Sequence, residues 1–174
     1  MLVHRLAAPA DIPALTDLIG AAIDVHLADV LTPAQTAASR ALMGLDTQLI
    51  DDGTYFIVEA DGALAGCGGW SRRATPYGGD HSPGRDPHHL VAGIDAAKIR
   101  AMYTAPGFER RGVGRLILSL CEAAAKAEGF TRVELTATMS GKPLYEACGY
   151  QADEVFHDAR AGEPVPLLLM SKTL

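Results

Sequence analysis

The sequence lacks several features that mark common protein classes. It has no basic excess, since 15 Lys and Arg stand against 21 Asp and Glu for a net charge of −6, and so it offers no positive field to nucleic acid or an anionic membrane. It has no apolar run long enough to span a bilayer and no signal-peptide pattern at its start. We therefore expect a cytoplasmic protein with a small partner, no nucleic acid and no membrane.

Cysteine and aromatic residues are also scarce. The three cysteines are odd in number and widely spaced, which is typical of reduced, packed thiols rather than of a disulfide framework or a zinc knuckle. Aromatic residues make up only 6%, but an apolar content of 48% over 174 residues is enough for one hydrophobic core. A single domain over residues 1–174 is predicted.

The hydrophobic periodicity predicts an α/β chain with a mixed sheet of about seven strands and about four flanking helices. Strands are predicted at 2–5, 55–59, 63–67, 98–104, 132–138, 154–157 and 165–171. Helices are predicted from Asp11 to a polar break at 24–29, between Thr32 and Gly44, from Gly112 to Gly129, and after a cap at Ser140.

Two local signals indicate how the strands pair. The dipeptide Asp61-Gly62 tolerates positive backbone angles and predicts a tight antiparallel hairpin, and a second hairpin is expected around Gly162. The strand, helix, strand order from 98 to 138 is a crossover unit, so the fourth and fifth strands should run parallel. The 71–97 segment shows neither the helical nor the strand periodicity of apolar residues. A segment of this length without regular structure is usually functional or mobile.

The segment 106–115 joins a strand to a long helix and contains Gly112 and Gly114. Helix-initial amides form an anion site, which suits a pyrophosphate. The simplest alternative is a tight turn with its arginines in water. A P-loop is disfavoured because no Lys-Ser/Thr pair follows the glycines, and a dinucleotide fold is disfavoured because Ile117 stands where a third glycine belongs.

This loop, read as Glu109-Arg-Arg-Gly-Val-Gly114, together with Leu144-Tyr145-Glu-Ala-Cys-Gly-Tyr150, resembles the GNAT superfamily of acyl-CoA-dependent N-acetyltransferases. The order of elements is similar to that family over nearly the whole chain. The resemblance implies one GNAT-like domain with mostly antiparallel strands, in which strands four and five are parallel and splayed. It also implies acetyl-CoA as co-substrate.

The resemblance further implies which residues bind the co-substrate. Main-chain groups of the fourth strand would hold the pantetheine arm and loop amides the pyrophosphate, a set that comprises Met102, Tyr103, Thr104, Glu109, Arg110, Arg111, Gly112, Val113, Gly114, Arg115 and Thr138. Two of these depart from the family pattern. Glu109 replaces a glutamine or arginine, so its side chain is expected to turn away, and Thr138 replaces an asparagine.

Acetyl transfer needs a proton donor for the departing thiolate, and Tyr145 resembles the family's general acid. The alternative is that Tyr145 only packs in the core. The oxyanion donor would be an amide near Met102. No catalytic base is assigned, because each of five residues is a possible base, and the amine could also lose its proton through a chain of water molecules. The five are Asp24, His26, Asp80, His81 and Asp95.

Arg72, Arg73 and His26 are predicted to contact the acceptor, the arginines through an anionic group. No metal is expected, since the histidines at 81, 88 and 89 match no common ligand spacing.

The sequence thus favours transfer of an acetyl group from acetyl-CoA to a primary amine of a small-molecule acceptor in a ternary complex. Two alternatives stay open: a non-catalytic acyl-CoA-binding module, and an acetyltransferase that acts on a protein or peptide amine. A homodimer is also left open.

Overall fold

The structure is a computed structural model that describes all 174 residues. Its single sheet has the strand order β1-β2-β3-β4-β5-β7-β6. The strands are β1 (Leu2–Leu6), β2 (Tyr55–Ala60), β3 (Ala63–Ser71), β4 (Ala97–Thr104), β5 (Arg132–Thr138), β6 (Gln151–Asp158) and β7 (Val165–Thr173). The helices are α1 (Ile12–Leu27), α2 (Pro33–Leu42), α3 (Thr47–Asp51), α4 (Val113–Ala127) and α5 (Lys142–Ala147), and a 3₁₀ turn (Pro9–Asp11) precedes α1. None of the helices combines the length and apolarity needed to cross a membrane.

The strand pairing confirms the predicted mixed sheet. β4 and β5 run parallel, but they pair only over Ala97–Ile99 opposite Val133–Leu135 and then diverge. Every other neighbouring pair is antiparallel. A V-shaped opening therefore lies in the middle of the sheet, between the second half of β4 and the second half of β5.

Local sequence signals account for most element boundaries. Asp61 and Gly62 have φ of 54° and 83° at the turn between β2 and β3, as a tight hairpin requires. At the start of α2 the Thr32 hydroxyl accepts from the Gln35 amide (3.2 Å) while the Gln35 side chain accepts from the Thr32 amide (3.0 Å). This is the predicted capping box.

Among the helices, three features differ from the predictions. α1 continues through the expected polar break to Leu27, because Ile23 and Leu27 extend its buried face. The short α3 was not predicted, since five residues are too few for a helical period, and it begins with Asp46 accepting from the Gln48 amide. At α5 the N-cap is Gly141 rather than Ser140, and the Ser140 hydroxyl instead lies 3.0 Å from the Thr138 hydroxyl.

The core lies on both faces of the sheet. Adjacent residues of β2 point in opposite directions, so that Val58 packs in the cluster under α4 and Ile57 in the cluster under α1. On the α4 side the buried Trp70 meets Phe130 edge-on at 6.0 Å between ring centroids. The sheet between these two layers positions the candidate site.

The segment between β3 and β4 is ordered by specific contacts. The Ala74 amide donates to the His88 carbonyl (3.0 Å) and the Leu90 amide to the Arg72 carbonyl (2.7 Å), so the two ends of the segment lie side by side. In its middle, the Tyr77 hydroxyl donates to Asp158 at the end of β6 (2.7 Å). We call residues 72–96 the long loop.

Candidate active site

The turn between β4 and α4 has the conformation that the glycine pattern predicts. Gly107, Arg110 and Gly112 all have positive φ, of 87°, 58° and 85°. Gly112 is the N-cap of α4, and no side chain caps this 15-residue helix. Its first amides are therefore free to bind an anion at the positive end of the helix dipole.

A cavity of about 1000 Å³ opens at this helix start and runs along β4 towards α5. All of the predicted co-substrate residues line it except Arg111. Arg110 and Arg115 bring positive charge to its wall, whereas the Arg111 guanidinium pairs with Asp61 (3.0 Å) and stacks on Phe108. The Arg111 guanidinium is therefore committed to the hairpin turn, and a contact of the co-substrate with the Arg111 main chain stays a prediction.

β4 carries a bulge beside the V-shaped opening. Cys67 pairs with Tyr103 and Gly69 with Arg100, so that Gly68 alone faces two residues, Ala101 and Met102. Ala101 has φ of 51°, an uncommon conformation for alanine. Its carbonyl accepts a 2.8 Å hydrogen bond from the buried Tyr55 hydroxyl, which helps to hold the bulge in this conformation.

Tyr145 lies where the cavity meets the opening between β4 and β5. It is 9% exposed, lines the cavity, and packs edge-on against Tyr150 at 5.9 Å. Burial raises the pKa of the Tyr145 hydroxyl well above its ordinary value, with the neighbouring Cys121 and Cys148 thiols as lesser causes. The phenol therefore keeps its proton at neutral pH and can act as a donor.

The Glu109 carboxylate folds back onto its own loop. Its Oε2 accepts from the Gly107 amide (2.8 Å), and its Oε1 lies 3.6 Å from His26 Nε2. The expectation that this side chain turns away is wrong, because Glu109 lines the cavity. A negative charge thus lies beside the proposed anion site.

His26 lines the same end of the cavity, which is the phosphate end rather than the acceptor end. Its Nε2 lies 2.9 Å from the Thr104 carbonyl oxygen, and since a carbonyl only accepts, Nε2 carries the proton. The structure therefore corrects the predicted acceptor contact of His26. It is also the only one of the five open base candidates that lines either cavity described here.

Arg72 and Arg73 lie outside the cavity, contrary to the prediction that they contact the acceptor. Arg72 binds Glu128 at the end of α4 (2.6 and 2.8 Å), and Arg73 binds Asp52 (2.7 and 2.9 Å). Both are two-bond guanidinium–carboxylate pairs. Their donors are used to fasten the first residues of the long loop.

A second cavity of about 80 Å³ lies against the V-shaped opening, and sequence reasoning did not predict the arginine that lines it. Arg100 has a side chain with no exposed surface and forms an ion pair with Asp46, which also has none. Arg85 of the long loop binds the same carboxylate at 2.9 Å. The sequence signal for Arg100 was a charged residue that stands in a strand between the apolar residues Ile99 and Ala101.

Comparison with known proteins identifies the family. A model of the acetyltransferase (GNAT) family matches residues 25–150. The chain belongs to the GNAT acetyltransferase family. That match spans the candidate site from His26 through the α4 turn to Tyr145, together with the opening between β4 and β5. No curated protein sequence gives a significant match.

Solved GNAT structures share the fold. A GCN5-related N-acetyltransferase from Rhodopseudomonas palustris is 19% identical with a TM-score of 0.72, and the match covers 99% of this chain and 95% of that one. PaiA N-acetyltransferase from Thermoplasma acidophilum, in complex with coenzyme A, is 13% identical with a TM-score of 0.67. The match covers 100% of this chain and 99% of that one. The protein yncA from Salmonella typhimurium, with its cofactor acetyl-CoA, is 18% identical with a TM-score of 0.64, and the match covers 99% of this chain and 94% of that one.

Proposed function

We propose that this GNAT chain transfers the acetyl group of acetyl-CoA to the primary amine of a small-molecule acceptor, with both substrates bound together and Tyr145 as general acid. The observation that carries the proposal is the continuity of one cavity from the free amides at the start of α4, along the unpaired part of β4, to Tyr145. Each part of that path has a separate chemical task.

The phosphate end suits a pyrophosphate. Gly112 has open space around it, since a Cβ built there would meet only Leu2 Cδ1, at 4.0 Å. Arg110 and Arg115 add charge on the same wall. These features would hold the anionic part of coenzyme A through backbone amides, with side chains as support.

The pantetheine arm would lie along β4 at Met102, Tyr103 and Thr104. β5 has diverged from β4 at this point, so this edge of β4 has main-chain groups available for an extended ligand. Thr138, on the β5 side, has its hydroxyl engaged by the Gly141 amide at 3.2 Å. We therefore assign the hydrogen bonds to β4 and only a wall contact to Thr138.

Acetyl-CoA would supply the thioester. The acceptor nitrogen forms the new C–N bond as the C–S bond breaks, and the sulfur leaves with the proton that Tyr145 donates. The amine loses one proton to water, because His26 is the only one of the five base candidates that lines the cavity and it lies at the phosphate end, beside Thr104 and Glu109. Tyr145 then regains its proton from water.

A small acceptor is favoured by the cover over the opening. Tyr77 and Gly78 of the long loop line the smaller cavity, so the acceptor side is enclosed by this chain. An extended peptide would need that cover to open. Release of free thiol on incubation with acetyl-CoA and a broad amine panel tests the proposal, with reactions lacking amine as the hydrolysis control.

Turnover with small amines, lost when the protein is omitted, supports the enzyme. Binding of acetyl-CoA without thiol release for any amine or peptide would instead indicate an acyl-CoA-binding module. Turnover confined to peptide amines would overturn the small-acceptor assignment.

A further inference from the structure

The smaller cavity, of about 80 Å³, touches the proposed reaction centre. It shares Met43, Met102, Tyr103, Thr138 and Tyr145 with the large cavity. Its remaining walls come from β4, β5, β7 and the long loop. A group in it would therefore lie on the acceptor side of Tyr145, with room for several water-sized atoms.

One wall of this cavity is Arg100, whose side chain is fully buried. Both of its contacts are made by Nη2, which donates to the Gly78 carbonyl (3.1 Å) and pairs with Asp46. Nε and Nη1 are buried and have no acceptor. Buried donors without partners are rare in folded proteins because their desolvation is not compensated, and each calls for an explanation.

The surrounding acids do not fill this need. Asp46 Oδ1 accepts from Arg85 and the Gln48 amide, whereas Oδ2 forms an ion pair only with Arg100 Nη2 and has no hydrogen bond besides. Asp80 also acts on Arg100 electrostatically, but its Oδ1 accepts from the Thr47 amide (3.0 Å). The remaining Arg100 donors are thus available to an oxygen anion that comes from outside the chain.

We propose that the acceptor amine also carries a carboxylate, and that Arg100 binds this carboxylate in the smaller cavity. The inference rests on the proposed function and adds the substrate class: an amino acid, or another amine that bears a carboxylate on a short carbon skeleton. A guanidinium suits a carboxylate through charge and directed N–H donors. Because Arg100 and Tyr145 line the same small cavity, an acceptor whose carboxylate is bound by Arg100 would extend its amine towards Tyr145.

The test compares matched pairs of acceptors, each an amino acid and the amine left when its carboxylate is removed. Wild-type protein should prefer the carboxylate member by at least about tenfold in kcat/KM for the pair that fits best. Arg100→Lys keeps a cation for Asp46 but loses the directed donors, and should lose this preference mainly through KM. Arg85→Lys is the matched control, because Arg85 binds the same Asp46 without lining the cavity, and it should keep the preference.

Equal rates for both members of every pair in the wild type overturn the proposal, and this result does not depend on any variant folding. A preference that survives in folded Arg100→Lys overturns it as well. If no amine releases thiol, the proposed function fails separately, and binding of the same amino acids in the presence of coenzyme A is then measured by NMR. Binding to the wild type that weakens in Arg100→Lys supports the carboxylate site, and no binding to the wild type overturns it.

Discussion

Gly114 in α4 and Leu144 in α5 meet so closely that a Cβ built on Gly114 would lie 2.6 Å from Leu144 Cδ2. This contact links the helix that starts at the proposed phosphate site to the helix that carries Tyr145. Gly114 therefore allows α4 to pack closely against Leu144, whereas Gly112, with its φ of 85°, is required for the turn. The sequence pattern alone predicts the same role for both glycines.

The two glycines should respond differently to substitution. Gly112→Ala strains the turn, at about 1–2 kcal/mol for the left-handed conformation, and should weaken acetyl-CoA binding as measured by calorimetry. Gly114→Ala pushes against Leu144 and should lower turnover more than acetyl-CoA affinity.

The steric origin of the second effect is tested by the pair Gly114→Ala and Leu144→Ala. Removing most of the Leu144 side chain should restore part of the turnover lost in Gly114→Ala. A double variant slower than the product of the two single effects would contradict the packing role.

Tyr145→Phe removes only the hydroxyl. We expect acetyl-CoA affinity to hold and kcat to fall by about 10²-fold, the effect of losing a positioned acid. Tyr150→Phe is the control on the neighbouring ring, because the Tyr150 hydroxyl binds Glu122 (3.0 Å) and does not line the cavity. Equal rates in Tyr145→Phe and Tyr150→Phe would make Tyr145 a packing residue.

The raised pKa of Tyr145 gives this experiment a pH dependence. An acid must be protonated to act, so its contribution is present below its pKa and lost above it. Burial moves that pKa upward, so kcat of the wild type should not decline through the ordinary tyrosine range near pH 10 on account of Tyr145. A decline centred at or below pH 10 in the wild type, absent in Tyr145→Phe, would show that the hydroxyl ionises without this shift.

Glu109→Gln removes the negative charge beside the proposed pyrophosphate site and keeps an oxygen acceptor for the Gly107 amide. Acetyl-CoA should bind several-fold more tightly, with the gain largest at low ionic strength. Glu163→Gln, an exposed change that does not line the cavity, controls for net charge. Unchanged or weaker binding in Glu109→Gln would mean that the carboxylate supports the loop more than it repels the ligand.

The Tyr77–Asp158 hydrogen bond fastens the long loop, and Tyr77→Phe should release it. We expect a loss of about 1–3 kcal/mol in stability and faster hydrogen exchange in the long loop. The acceptor KM should change, because Tyr77 lines the smaller cavity. Phe156 packs against the Tyr77 ring at 6.1 Å, so the ring itself stays anchored.

This stability difference should vary with pH. The Arg160 and Tyr77 hydrogen bonds lower the pKa of Asp158 to about 2, and burial followed by the Asp158 bond raises that of Tyr77 to about 12. The contribution of Asp158 is thus complete above its ordinary pKa near 4 and lost as pH falls towards 2. That of Tyr77 is complete below pH 10 and lost as pH rises through 12. The melting temperatures of the wild type and of Tyr77→Phe should therefore differ by a constant amount from pH 5 to 9. The two values should converge below and above this range.

Sequence patterns predicted the parts of this fold that neighbouring residues determine. The capping box at Thr32, the Asp61-Gly62 turn and the crossover from β4 to β5 each depend on a few adjacent positions or on one helical period. The α4 turn was predicted for the same reason, since its glycines lie within one short segment. Together with the family resemblance, these signals located the co-substrate side of the site.

The acceptor side depends on contacts between distant residues. Arg100 and Asp46 are separated by more than fifty positions, and nothing near either one indicates the other. Arg72 and Arg73 carry no local sign of their partners, because Glu128 and Asp52 lie 56 and 21 positions away in the sequence. The positive φ of Ala101 was also beyond prediction, because an alanine carries no signal for a bulge and the Tyr55 hydroxyl that supports it comes from another strand.

The short parallel pairing of β4 and β5 has a consequence for the lifetime of the protein. Only three residue pairs join the two halves of the sheet at this point, so a bound pantetheine arm would act as a missing strand and fold stability would depend on co-substrate supply. Ligand present at a hundred times its dissociation constant adds about 2.7 kcal/mol. Acetyl-CoA scarcity should then expose the chain to proteases, so that its abundance would follow the level of its own acyl donor.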